Sequence, residues 1–162
     1  MSLVIRLQRF RSDELDHGSV ESLLAAVPLR SDESEFTAAL AAGTLFDLGD
    51  EWEVLHAALT GGSNDACDAG FKPVLGGGML GRTATEVLVA LAPNEVSDVA
   101  RHLRGVDPLR QVSDHLMAIE AAHGGEIGDK FACHLADVLQ GLSCFYAKAA
   151  SDGDAVVKVV YS

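Results

Sequence analysis

The stretch from Asp129 to Ala150 reads as one long amphipathic helix. Phe131, Leu135, Val138, Leu142 and Phe145 recur at spacings of four and three, which lines one side of a helix with apolar groups. Such a seam has to lie against another apolar surface, so the rest of the chain must supply one. "AVVKVVY", at residues 155–161, follows the turn Ser151-Asp152-Gly153 and reads as a last strand. "SLVIRLQ", residues 2–8, alternates and reads as a first strand, and "TATEVLVALA", residues 83–92, reads as another. A lone strand cannot satisfy its own backbone, so these belong to one small sheet.

Helices fill the intervals. Residues 19–27 form a short one ended by Pro28. In "SDESEFTAALAAG", Asp32 and Glu35 make an Asp-type capping box, and Gly43 sits where a C-terminal glycine belongs. A helix over roughly 48–60 follows, with Asp47, Asp50 and Glu51 crowding its N-terminal end. Pro93 opens a helix with Val96, Val99, Ala100 and Leu103 on one face, and Gly105 ends it. Asp107-Pro108 starts another, with Leu109, Val112, Leu116 and Ile119 as its inward stripe and Gly124 as its stop. Strands at the start, middle and end, without regular βαβ alternation, predict an α+β fold: about six helices packed with a small sheet of about three strands, as a single domain over residues 1–162.

Composition narrows the function classes. A chain of 162 residues fits one domain, on an expectation of roughly 100–200 residues each. With 12 basic against 24 acidic residues and a net charge of −12, it lacks the clustered lysine and arginine that phosphate backbones and anionic membranes require. No apolar run approaches the roughly 20 residues that span a bilayer, and "MSLVIRLQRF" does not read as a signal peptide. Cys67, Cys133 and Cys144 are odd in number. Cys133 and Cys144 fall on one helix about 16 Å apart at ~1.5 Å per residue, too far for a disulfide. Reduced thiols and a cytoplasmic protein are expected.

The candidate site is "FDLGDEWEVLHAALTGG", residues 46–62. Trp52, His56 and Thr60 are four apart, so they stack on one helix face beside Leu55 and Leu59. One reading is a core histidine whose ring bonds a loop carbonyl and pins the segment "LTGG". The other is a general base at the floor of a cleft with Trp52 as a wall and Thr60 able to bond a ligand. Residues 61–82 form a glycine-rich loop that holds seven of the sixteen glycines. Within it "GGGMLGRT", residues 76–83, matches the phosphate-loop pattern except for Arg82, but a strand rather than a helix is expected to follow, so a flexible connection or a flap is the better reading. The histidines make no pair at metal-ligand spacing, and no metal or cofactor is expected.

These residues carry a resemblance. Asp47, Trp52, Leu55, His56, Leu59, Thr60 and Gly61 fall on the signature of the YfbM-like domain-of-unknown-function family of bacteria, and the segment is similar to it in spacing. Val74, Leu75 and Gly76, then "LAPNEVSDVARHL" and "LSCFYAKAASDGDAVVKVV", resemble later family segments. This chain has Gly49, Asp50 and Glu51 where the family usually has a lysine. The resemblance implies a small bacterial α+β protein and supplies no activity. Together the readings favour a non-enzymatic binding or regulatory module that takes a small molecule or a protein partner through Asp47, Trp52, His56, Thr60 and Gly61. The alternative is a small hydrolase or transferase with His56 as catalytic base and Asp47 or another acid orienting it.

Overall fold

A computed structural model describes residues 3–162. Ser2, the first residue of the expected opening strand, lies outside them. The described chain runs β1 (Val4–Phe10), α1 (Ser12–His17), α2 (Val20–Ala25), α3 (Glu33–Ala42), β2 (Leu45–Gly49), α4 (Trp52–Thr60), β3 (Gly78–Arg82), β4 (Glu86–Leu91), α5 (Pro93–Arg104), α6 (Pro108–Asp114), α7 (Leu116–His123), α8 (Asp129–Asp152) and β5 (Ala155–Tyr161). The fold is α+β, with eight helices and five strands among the described residues rather than about six and three.

The strands form one sheet in the order β2-β1-β5-β4-β3, and every neighbouring pair is antiparallel. The three strands expected from sequence are the three central ones. The two missed are the edges. An edge strand pairs on one side only, so its sequence carries a weaker demand for alternation. "LFDLG" therefore looked like a helix start and "GMLGR" like loop; in fact residues 78–82 leave the glycine-rich segment to become β3. The single helix expected over 107–124 breaks at His115 into α6 and α7. Val112 and Ile119 of its stripe are buried, but Leu109 and Leu116 are exposed.

Both faces of the sheet are covered. Ile5, Leu7, Leu48, Leu91 and Val156 face a main core built with α4 to α8. Phe10, Leu45, Leu88, Val157 and Val159 face a second, smaller core under α1 to α3. Helix ends follow the expected chemistry. Asp32 accepts from the Glu35 backbone N–H, Asp107 from that of Arg110, and Gly43 closes α3 at φ 70°.

The main-core face of the sheet also carries a fully buried basic side chain. Lys158, in the middle of β5, is 1% exposed. Its Nζ donates to the Lys72 carbonyl and, at 2.6 Å, to that of Gly76. From α8 the buried Tyr146 hydroxyl donates to the Pro73 carbonyl at 2.8 Å. Residues 71–76 are thus held against the sheet through three carbonyls, while the backbone N–H groups of Leu75 and Gly76 both donate to the Phe71 carbonyl. A buried acceptor stripped of its donor costs about 1–3 kcal/mol. Tyr146→Phe, which removes only the hydroxyl, is expected to destabilise by that amount; an unchanged urea midpoint would show that the Pro73 bond contributes nothing.

Candidate functional site

Helix α4 is short and almost wholly enclosed. Val54 through Leu59 are buried without interruption, so His56 is inside because the helix is packed all round. Trp52 opens the helix and packs, half-buried, against the main core. Thr60 spends its hydroxyl on ending it: Oγ1 donates to the His56 carbonyl at 2.8 Å and accepts from the Gly62 N–H at 3.2 Å. Gly61 then turns the chain at φ 65°, a left-handed conformation that favours glycine.

The structure brings Trp52, His56, Thr60 and Gly61 onto this one element and removes Asp47 from it. Asp47 belongs to β2 and points to the opposite face of the sheet. It accepts from Arg30 at 2.5 and 3.0 Å and pairs with Arg6 at 3.5 Å. The Arg6 guanidinium in turn lies over the rings of Tyr161 and Phe36, at 4.8 and 5.2 Å. Asp47 therefore joins the second layer of helices to the sheet and cannot orient His56.

The end of α4 is pinned by a different histidine from the one expected. His115, at the α6–α7 break, lies 2.6 Å through Nδ1 from the Ala58 carbonyl. That short contact places the proton on Nδ1. The Gln111 amide, 3.2 Å from the same nitrogen, is then left to donate weakly to the Leu59 carbonyl at 3.5 Å. A Cβ on Gly61 would stand 3.2 Å from the His115 ring. Sequence reading singled out His56 and gave His115 no role. Its position one turn from Gln111 was the only sequence signal of this pairing.

The His56 ring, 6% exposed, makes no hydrogen bond through either nitrogen. It stands edge-on to Phe71, with ring centroids 5.3 Å apart. Burial lowers its pKa; the Ser63 backbone, Asp68 and the Asn64 side chain, all near the ring, partly offset this, and Lys158 adds to it. The expected bond from this ring to a loop carbonyl is not formed with normal geometry, although the Ser63 backbone lies near enough to favour the protonated ring. The loop satisfies itself instead. Ser63, Asp65 and Asp68 side chains accept from the backbone N–H groups of Asp65, Cys67 and Gly70 in successive turns. Gly70 passes so close to α4 that an added Cβ would lie 2.3 Å from the Leu59 carbonyl oxygen.

Beyond this loop is a cleft of about 180 Å³ lined by Cys67, Asp68, Ala69 and Lys72 on one side and by Asp98, Val99 and His102 of α5 on the other. The Lys72 ammonium is 3.9 Å from Glu95, and the His102 Nε2 is buried without a partner. Its acids, thiol and imidazole do not converge as a metal-ligand set: no group of three such side chains able to hold a metal occurs among the described residues. Nor is any helix among them long and apolar enough to cross a membrane.

Residues 1–159 match the family described as domain of unknown function (DUF1877). No curated protein matches the chain. Among solved structures it is similar to a protein of unknown function, YfbM from Escherichia coli, at 17% identity and a TM-score of 0.62, over 97% of this chain and 99% of that one. At such identity the likeness concerns the fold.

The buried imidazole makes stability depend on pH. Its folded-state pKa lies below the 6.5 of an ordinary histidine, so the unfolded chain takes up the proton first as pH falls. The stability due to the neutral ring is fully present above about pH 6.5 and drains away below it. In His56→Leu that acid-side decline is expected to flatten. Stability at pH 8 should hold or rise by about 1 kcal/mol, because two unsatisfied nitrogens are removed. A loss greater than that at pH 8 would mean that the ring is bonded to the loop.

Proposed function

This chain belongs to the family of domain of unknown function DUF1877, and from that premise we propose that it is a non-catalytic binding module whose ligand lies in the cleft between residues 67–72 and α5. The observation that carries this is the construction of the cleft. Asp68, Lys72, Asp98 and His102 set charges and hydrogen-bonding groups of both kinds around its mouth. The wall that bears Lys72 is fastened from beneath by Lys158 and Tyr146. A polar rim on a fixed wall is what recognition of a small polar molecule requires. At about 180 Å³ the cleft is smaller than the roughly 300–1,000 Å³ pockets of drug-sized ligands, which points to a small metabolite. His56 and Gly61 act in this reading as the floor and hinge of the loop. The free, exposed thiols of Cys67, Cys133 and Cys144 support a reducing, cytoplasmic setting.

One observation favours the second reading, a hydrolase or transferase. His56 is held neutral and keeps both nitrogens unbonded, the state a general base needs. Asp68 of the loop, not Asp47, is the acid beside it.

A thermal-shift screen of amino acids, short carboxylic acids and nucleotides separates the two. A molecule that stabilises the protein through the cleft should bind about tenfold or more weakly to Lys72→Ala or His102→Gln, the scale of one hydrogen bond to a charged group. A stabilising molecule indifferent to both changes would place the site elsewhere. Ester hydrolysis by the purified protein that vanishes in His56→Leu would instead establish the second reading.

A further inference from the structure

A second cleft, of about 350 Å³, lies between α5 and α8, and we propose that it binds a phosphate group carried by a small molecule. Its wall on α5 is Ser97, Ala100, Arg101 and Arg104, one face of the helix; its wall on α8 is Ala147, Ala150 and Ser151. The alanines bring the two helices close and leave a smooth floor. Above that floor stand two guanidinium groups and two hydroxyls.

The charges around this cleft are unusual for this chain. With 24 acidic residues to 12 basic ones, an exposed arginine readily finds a carboxylate. Arg11, Arg30 and Arg110 each do so. Arg104 has none among the described residues. Arg101 gives one nitrogen to Asp98 at 3.0 Å and keeps the rest of its donor fork. Asp152, the last residue of α8, and Asp154 beyond it share Arg9. The residues that line the cleft itself include two arginines and no acid.

The last turn of a helix favours cations through its dipole, and this accounts for basic residues at the end of α5. It does not account for two of them facing one concave surface beside the Ser151 hydroxyl; the Ser97 hydroxyl donates to the Pro93 carbonyl of its own helix at 3.1 Å. A guanidinium presents its N–H groups in a planar fork that matches phosphate oxygens two at a time, and the Ser151 hydroxyl adds one further donor. The cleft is larger than a bare phosphate needs, so the alanine floor would receive the body of the molecule. This site shares no lining residue with the Lys72–His102 cleft, and the two proposals stand or fall separately.

The test is titration of the whole protein with inorganic phosphate and with glucose 6-phosphate, against sodium chloride at matched ionic strength. Saturable stabilisation by glucose 6-phosphate is expected, several degrees in melting temperature at about 100-fold excess over the dissociation constant, with inorganic phosphate weaker. Arg104→Gln, a surface change, should weaken binding at least tenfold without altering the melting temperature of the free protein, and Arg110→Gln on α6 should leave binding unchanged. A response matched by sodium chloride, or one equal in Arg104→Gln and the unaltered protein, would overturn the proposal. So would phosphate binding lost equally in Arg110→Gln.

Discussion

A lysine amine with no route to water organises this molecule. Lys158 sits on the central strand of the sheet and holds the segment around residues 72–76 against it. Burial keeps its pKa well below the usual lysine range, with Lys72 pushing the same way and Glu95 against. Two carbonyls, those of Lys72 and Gly76, accept from this amine. The sheet thereby gains a polar point of attachment for a segment that has few apolar groups of its own.

That attachment explains how a glycine-rich stretch can stay folded. The segment from Gly61 to Gly77 cannot hold itself down by burying large side chains; apart from Phe71, Val74 and Leu75 it is mostly small or polar. It is secured in two other ways. Side chains of Ser63, Asp65 and Asp68 close local turns, and Lys158, Tyr146 and His115 reach across from β5, α8 and the α6–α7 break to bond carbonyls in or just before it. Directional bonds replace hydrophobic area. The small residues then have a purpose, since Gly70 lies where any side chain would strike α4.

Much of this was legible in the chain, and the gaps have physical causes. Periodicity and capping residues located the long helices and the three central strands, because those elements are buried and the pattern of burial is written in their residues. Edge strands β2 and β3 face fewer neighbours and left little trace. Trp52, His56, Thr60 and Gly61 lie together on α4 and its end, which helix spacing alone dictates. Asp47 lies apart from them, because it stands in β2, whose successive side chains go to opposite faces of the sheet. Lys158 could have been found. A strand reading "AVVKVVY" is apolar on both faces, which marks a central position, and a lysine within it has to be inside.

The positions of the two buried bases also bear on where ligands can be held. Lys158 and His56 lie under the same segment, and burial lowers the pKa of both. The interior beneath the loop therefore disfavours charge and is poorly suited to stabilising an ionic ligand at depth. The ionised groups stand at the margins instead: Asp68, Lys72 and Asp98 at one cleft, Arg101 and Arg104 at the other. Helix α5 supplies a wall to both, packed against α8 by Ala100 and Leu103. A chain that keeps charge out of its centre and mounts it along the two sides of one helix is built to meet polar molecules at its surface, with a neutral core to hold that surface in shape.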